Sequence, residues 1–384
     1  MNFSLSIDVN RSHRIAVSVF FFIAGLVFSS WACRIPDIKM QMGLSDAGLG
    51  SVLFALPVGL MAGLPLSGWL VSHIGSKRAL LIAALMYPAA LVVLGLAGSV
   101  WMLVTGLFFF GLFSNMCNIA VNTQAVGVEA LYGRSIMASF HGLWSLAGFT
   151  GAATGALLIS TGMSTFVHFC LIFIAAVILL LSSYRYALPT DGDKQEGGTP
   201  LFVKPDATIL KLGLIAFGSM VCEGTMFDWS GVYFQKVVEV PKAYTSLGYV
   251  AFMSTMAGGR FAADWLVTRM GVSRVLQGSG VLIATGLLIA VLFPYLPSAT
   301  LGFLLVGIGV SAVVPLVYAL AGKSKTMSPG MALAAVSSIG FLGFLMGPPV
   351  IGFIAQAASL RWSFTLIAIL GLATTMLASQ TKKM

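Results

Sequence analysis

Apolar residues run through this chain in blocks of about twenty, with short polar breaks between them. The blocks lie near 14–32, 48–72, 79–97, 100–127, 136–161, 164–183, 208–234, 244–267, 275–293, 299–321, 330–356 and 361–380. Each is long enough to cross about 30 Å of hydrocarbon as a helix. None shows the alternation of polar and apolar positions that a barrel strand requires, and a barrel strand is shorter. The pattern predicts an all-α membrane protein with twelve transmembrane helices. One polar break is longer than the rest, Tyr184 to Lys211, and contains PTDGDKQEGGTP. Its Pro, Gly and acidic residues read as a flexible linker at 184–207 between two six-helix bundles, 1–183 and 208–384.

Composition agrees with this pattern. With 58% hydrophobic and 9% charged residues, 384 residues lack the polar surface of a water-soluble globule. Arg11 and Arg14 precede the first block as they would in a signal peptide, but the stretch from Ser30 to Arg34 is a poor cleavage site and eleven more blocks follow. The first block is therefore expected to be a retained helix. Cys33, Cys117, Cys170 and Cys222 fall in or beside separate blocks without CxxC spacing, which argues for ordinary thiols over a metal site or disulfide frame.

The formal charge of +9 would suggest nucleic acid if it were spread evenly. It is not. With a cytoplasmic amino terminus, fifteen Lys or Arg lie on the inner side and five on the outer, with Arg260 inside the eighth block. That bias is the positive-inside rule, and it predicts a bacterial inner-membrane protein with both termini cytoplasmic. The lipid bilayer then accounts for the basic residues, and nucleic acid is not an expected partner.

The chain also repeats itself. GWLVSHIGSKRAL at residues 68–80 returns as DWLVTRMGVSRVL at 264–276, an offset of 196 that pairs Trp69 with Trp265, Gly75 with Gly271 and Arg78 with Arg274. Gly148, Gly151 and Gly155 return as Gly340, Gly343 and Gly347, with Ser145 and Ser337 beside them. Gly106 and Gly111 map onto Gly302 and Gly307. Three echoes at nearly one offset predict a duplicated six-helix unit with both copies in one orientation.

Twelve spans, a central linker and a glycine-containing basic turn after spans two and eight resemble the major facilitator superfamily over essentially the whole chain. In that family the inner turn reads G-x-x-x-D-R-x-G-R-K/R and takes part in gating. Here Gly68, Gly75, Lys77 and Arg78 match, while Ser72 and His73 replace the acid and base. In the second copy Arg269 and Gly271 match, and Thr268 replaces the acid. Asp264, one turn earlier, is a candidate to act with Arg260 in its place. The stretches SSWACRIPDIKMQMGLS, CNIAVNTQ, FHGLWSLAGFTGAATG and CEGTMFDWSGVYF resemble a bacterial branch distantly similar to the fucose:proton symporters. The carboxylates that carry sugar and proton there would fall at Ala32 and Asn118, so that site does not carry over by position.

Polar groups inside the spans supply the remaining candidates. Asn115, Asn118, Asn122 and Glu129 lie within an arc of about 60° on one helix, with Gln124 pointing away. This carboxamide stripe is a candidate substrate surface; the alternative is interhelical bonding worth under about 1 kcal/mol per bond. In the seventh span Glu223 is the preferred protonatable group and a candidate substrate contact, its alternative being a permanent ion pair. Asp228 lies about 140° from it around the helix, beside Trp229, itself a candidate substrate contact, and is a candidate for proton coupling, for pairing with Arg34 or for capping a break in the helix. Arg260 and Asp264, four residues apart, fit a structural or gating pair, the alternative being an anion-binding role for Arg260. His141 is a candidate proton relay or a packing residue, with Trp144 at its flank as a substrate contact. The glycine rows need no ligand, since small residues let membrane helices approach.

No P-loop, nucleophile elbow, HExxH or dinucleotide fingerprint is present, so neither enzyme chemistry nor ATP is expected. No cofactor or metal is implied. The expectation is a monomeric secondary transporter for a small polar organic solute, sugars among the candidates, with spans one, four, seven and ten lining a central cavity and the proton as coupling ion. An exporter of amphipathic compounds or drugs is the nearest alternative, because the many aromatic and Met side chains also suit a permissive pocket. A non-transporting membrane receptor or scaffold is the alternative of another class.

Overall fold

The structure is a computed structural model; it describes residues 3–133, 136–189, 206–324, 326–327 and 329–380. Helices account for nearly all of it. In chain order they are α1 (Phe3–Ala32), α2 (Ile35–Gln41), α3 (Asp46–Leu53), α4 (Ala55–Ile74), α5 (Ser76–Gly95), α6 (Val100–Tyr132), α7 (Met137–Ser160) and α8 (Thr165–Tyr184). They continue with α9 (Ala207–Lys236), α10 (Leu247–Met270), α11 (Val272–Leu292), α12 (Leu296–Ser311), α13 (Val313–Ala321), α14 (Pro329–Ala357) and α15 (Leu360–Ser379). Local chemistry sets several boundaries. Ser45, Ser99, Ser164 and Asp206 each accept a backbone N–H from the first turn that follows, and Gly133 closes α6 in the left-handed conformation.

Eleven helical segments among the described residues are long and apolar enough to cross a membrane. The expected eighth span, α10, is the twelfth helix of the pattern; its 24 residues carry Arg260, Asp264 and Arg269, which lower its hydropathy. The second and tenth spans are each built from two helices, broken at Phe54 and at Ala312. Of the expected linker, residues 190–205 lie outside the described residues, and so does most of PTDGDKQEGGTP.

The described residues divide into two compact units, one formed by 3–42 and 55–189, the other by 43–54 and 206–380. Residues 43–54, which precede α4 in the second span, pack within the second unit. There α3 lies on α14 through backbones that side chains would keep apart: a Cβ on Gly50 would stand 2.6 Å from the Pro348 carbonyl oxygen, and one on Gly352 would stand 2.6 Å from that of Asp46. Asp46 also pairs with Lys236 of α9 at 2.9 Å.

Several of the repeated glycines have equivalent neighbours in the two units, although Gly155 abuts Cys33 and its counterpart Gly347 has open space. A Cβ on Gly111 would sit 2.1 Å from the Leu56 carbonyl oxygen and 3.0 Å from the Leu60 nitrogen. One on Gly307 would sit 2.3 Å from the Phe252 oxygen and 3.0 Å from the Met256 nitrogen, the same atoms 196 residues later. In the first unit, Gly151 lets α7 approach α1 at Leu26 and Ser29; in the second, Gly343 lets α14 approach α9 at Phe217 and Val221. The inner turns agree to within a few degrees. Gly75 has φ 81 and ψ 154, and Gly271 has φ 79 and ψ 153, a conformation that only glycine adopts without strain.

Candidate functional site

In the second unit the polar groups gather on α9, the candidate span with the largest buried share. Glu223 lies near the middle of this helix, 7% exposed, where an isolated carboxylate would be costly. Arg260 of α10 answers it: its guanidinium donates to Glu223 Oε1 at 3.3 Å. The i to i+4 spacing on α10 suggested Asp264 as a partner of that arginine; the Asp264 side chain lies outside the described residues, and the Glu223 contact comes from another helix.

Asp228 lies five residues further along α9, half-buried, with no hydrogen bond or ion pair among the described residues. The expected partner, Arg34, is engaged in the first unit. Its guanidinium donates to Asp37 at 2.7 Å, to His168 Nδ1 at 3.1 Å and to the Met163 carbonyl at 2.9 Å. Trp229, beside Asp228, is fully buried, and its indole N–H has no acceptor among the described residues.

In the first unit the carboxamide stripe of α6 divides. Asn115 is buried against α4, where the Ser67 hydroxyl donates to its Oδ1 at 2.8 Å, so it bonds two helices together. Asn122 donates to the Asn118 carbonyl at 2.8 Å; Asn118 is exposed and Asn122 half-buried. Glu129 accepts from the Ile136 and Met137 N–H groups at 2.7 and 2.8 Å, which caps the start of α7. On α7, His141 meets the edge of Phe21 with ring centroids 5.2 Å apart, and Trp144 lies 6.1 Å from Phe28. Both side chains therefore flank α1.

The residues expected at the inner gate have other contacts within their own units. Lys77 donates to the Ala187 carbonyl at 3.0 Å and lies 5.3 Å from the Tyr184 ring, so it holds the chain leaving α8. Gln124 joins it there, donating to the Leu188 carbonyl at 3.1 Å and accepting the Leu188 N–H at 2.7 Å. Gly68 and Gly271 are exposed, with open space where a Cβ would stand; Gly75 is half-buried. Arg78 is exposed, without a hydrogen bond or ion pair among the described residues. Trp69 stacks on His73 with centroids 4.6 Å apart, and Trp265 lies under Arg269 at 4.8 Å. These two pairs are again 196 residues apart.

One contributor has no signal in the sequence: His168 is fully buried at the start of α8, and its bond to Arg34 spans 134 residues, which no local spacing could reveal. All four cysteines are free thiols, and the described residues contain no cluster of three or more His, Cys, Asp or Glu able to hold a metal ion.

Known proteins share this architecture. Residues 16–328 match the sequence profile of the Major Facilitator Superfamily. An uncharacterized MFS-type transporter of Yersinia pestis is 34% identical over 359 residues, which cover 94% of this chain and 93% of the relative. A mutant of the nucleoside transporter NupG superposes with a TM-score of 0.75 at 13% identity, covering 96% of this chain and all (100%) of the other. A bacterial homolog of the human lysosomal transporter Spinster superposes with a TM-score of 0.74 at 17% identity, covering 97% of each chain. At such identities the two solved structures speak for the fold alone. The profile match, the Yersinia relative and the repeated helical units together establish that this chain belongs to the Major Facilitator Superfamily, a family of multi-pass membrane transporters and not of enzymes.

Proposed function

We propose that the protein is a secondary transporter that moves a small polar organic solute, with sugars among the candidates, across the bacterial inner membrane by alternating access coupled to protons. The observation that carries this reading is the Glu223–Arg260 pair, a carboxylate and a guanidinium held inside membrane helices by one 3.3 Å contact. Charges in such positions are costly and mark ion or substrate paths more often than lipid-facing surface. A proton on Glu223 would cancel its attraction for Arg260 and open a place for an acceptor at that guanidinium N–H. A solute oxygen can supply one, and this links proton binding to solute binding. Asp228 offers a second carboxylate on the same helix, without a hydrogen bond or ion pair among the described residues, while Asn118, Asn122 and Trp144 of the first unit offer amides and an aromatic ring suited to hydroxyl-bearing molecules.

A thermal-shift screen of the purified protein against sugars, nucleosides, amino acids and drugs would identify the solute, because a ligand of the folded form raises Tm. In proteoliposomes the Glu223→Gln protein should still bind that solute but lose the solute-driven pH change. An unchanged proton signal would exclude Glu223 as the carrier.

A further inference from the structure

One cavity of the first unit lies far along the chain from these groups. It encloses about 560 Å³ between the start of α1 and the end of α6. Asn10, Arg11, Arg14, Ile15 and Ser18 line one side, positions that fall on one face of α1 by their spacing; Leu131 and Tyr132 line the other. Every polar group in that lining can donate a hydrogen bond, and no carboxylate is among them. Arg14 is steadied 5.5 Å above the Tyr132 ring, which leaves its planar fork of N–H groups set in place. Neither arginine has a carboxylate partner among the described residues. Glu129, the nearest acid along α6, spends one oxygen on the N–H groups that start α7.

The lip of the cavity has the opposite character. Ile15 is 54% exposed and Leu131 is 48% exposed, so an apolar surface continues directly from the two guanidinium groups. A ligand that fits must carry a compact anion with several acceptors at one end and hydrocarbon at the other. The duplicated unit does not repeat this arrangement: the start of α9 reads DATILKL, with Asp206, a single Lys211 and no arginine. A general preference for basic residues at helix ends therefore does not explain it. We propose that this cavity binds the phosphate headgroup of an anionic phospholipid of the surrounding bilayer, with Arg11 and Arg14 on the phosphate and an acyl chain along Ile15 and Leu131. Basic pockets between membrane helices recognise headgroups through this combination of charge and adjoining hydrocarbon.

Native mass spectrometry of delipidated protein titrated with phosphatidylglycerol, phosphatidylcholine or inorganic phosphate tests the proposal. The wild type should retain phosphatidylglycerol in preference to phosphatidylcholine. Arg11→Gln should weaken that retention about fivefold, and Arg11→Gln with Arg14→Gln on the order of thirtyfold, from about 1 kcal/mol for each basic residue. Arg274→Gln removes an exposed arginine of the other unit and should change nothing. Equal retention of the two lipids, or an unaltered double variant, overturns the proposal. Displacement of phosphatidylglycerol by millimolar inorganic phosphate assigns the cavity to a free anion and overturns it as well. Arg11 is exposed, so the single variant keeps the test valid if the double variant fails to fold.

Discussion

The contact between Glu223 and Arg260 can be tested apart from transport, by removing each charge alone and then both together. At 3.3 Å and an effective dielectric of about 20, the gross attraction is about 5 kcal/mol, which desolvation largely offsets. Breaking a buried pair from one side costs about 3–5 kcal/mol, because the surviving charge has lost its counter-ion. Here the Arg260 side chain is 19% exposed and the contact is longer than a strong charge-assisted hydrogen bond, so about 3 kcal/mol is the expectation for Arg260→Met. Glu223→Gln should cost less, since the amide oxygen still accepts from the guanidinium. The double variant buries no charge at this point and should be more stable than the sum of the single losses by about 1.5 kcal/mol or more. Unfolding each protein in mixed micelles of mild and denaturing detergent, followed by Trp fluorescence, gives the four free energies. Strict additivity, with an interaction below about 0.5 kcal/mol, would refute the pair.

Two further perturbations follow from the geometry. Gly75→Ala and Gly271→Ala should each destabilise by about 1–3 kcal/mol, because both backbones hold a conformation reserved for glycine, and the two losses should be similar. Two neutral substitutions, measured by thermal unfolding, would show that the inner turns relax freely. Asp206 caps α9, and its carboxyl is held below the ordinary range first by the Ile209 N–H at 2.7 Å and then by the Thr326 hydroxyl. A depressed carboxyl stabilises the fold above its unfolded value, about 3.9, and that stabilisation is lost as pH falls through the lower folded value. Asp206→Ala should therefore cost about 1 kcal/mol at neutral pH, and the gap to wild type should close below about pH 4. A gap that stays constant down to acid pH would show that the charge is irrelevant to the cap.

The spans were legible in the sequence because the bilayer imposes a length, and a run such as 164–183 admits few other readings. Helix ends were less so. Helix α1 begins at Phe3, well before the apolar block that starts near residue 14, because a helix continues past the hydrocarbon into water at little cost. The breaks at Phe54 and Ala312 did carry a signal. Pro57 and Pro315 lack the N–H groups that would bond the Leu53 and Ser311 carbonyls, and α3 and α12 end at those residues. Yet Pro65, Pro88, Pro348 and Pro349 sit inside helices, so proline alone does not mark a break. Partners were the least legible feature. Helical spacing offered Asp264 to Arg260 and carried no sign of Glu223, which the fold brings up from 37 residues away.

Duplication supplies a criterion for what those partners are for. Both copies keep certain glycine contacts, down to the carbonyl of Leu56 against Gly111 and that of Phe252 against Gly307, so these contacts answer to the scaffold. Polar side chains do not follow that rule. At the same offset, Arg260 is matched by Leu64 and Asn118 by Val314. A polar group in one copy and an apolar one in the other cannot be a requirement of the shared fold. Divergence is still not enough to assign function, because Gln124 is matched by Leu320 and yet has a local structural task, holding the backbone at Leu188. The stricter criterion adds that the polar group should lack a structural task within its own unit. Asn115 fails it, being bound to Ser67, and so does Glu129, which caps α7. Asp228 meets the added condition: it is a half-buried carboxylate with no hydrogen bond or ion pair among the described residues, so a proton, water or solute that reaches it would relieve the cost of its burial.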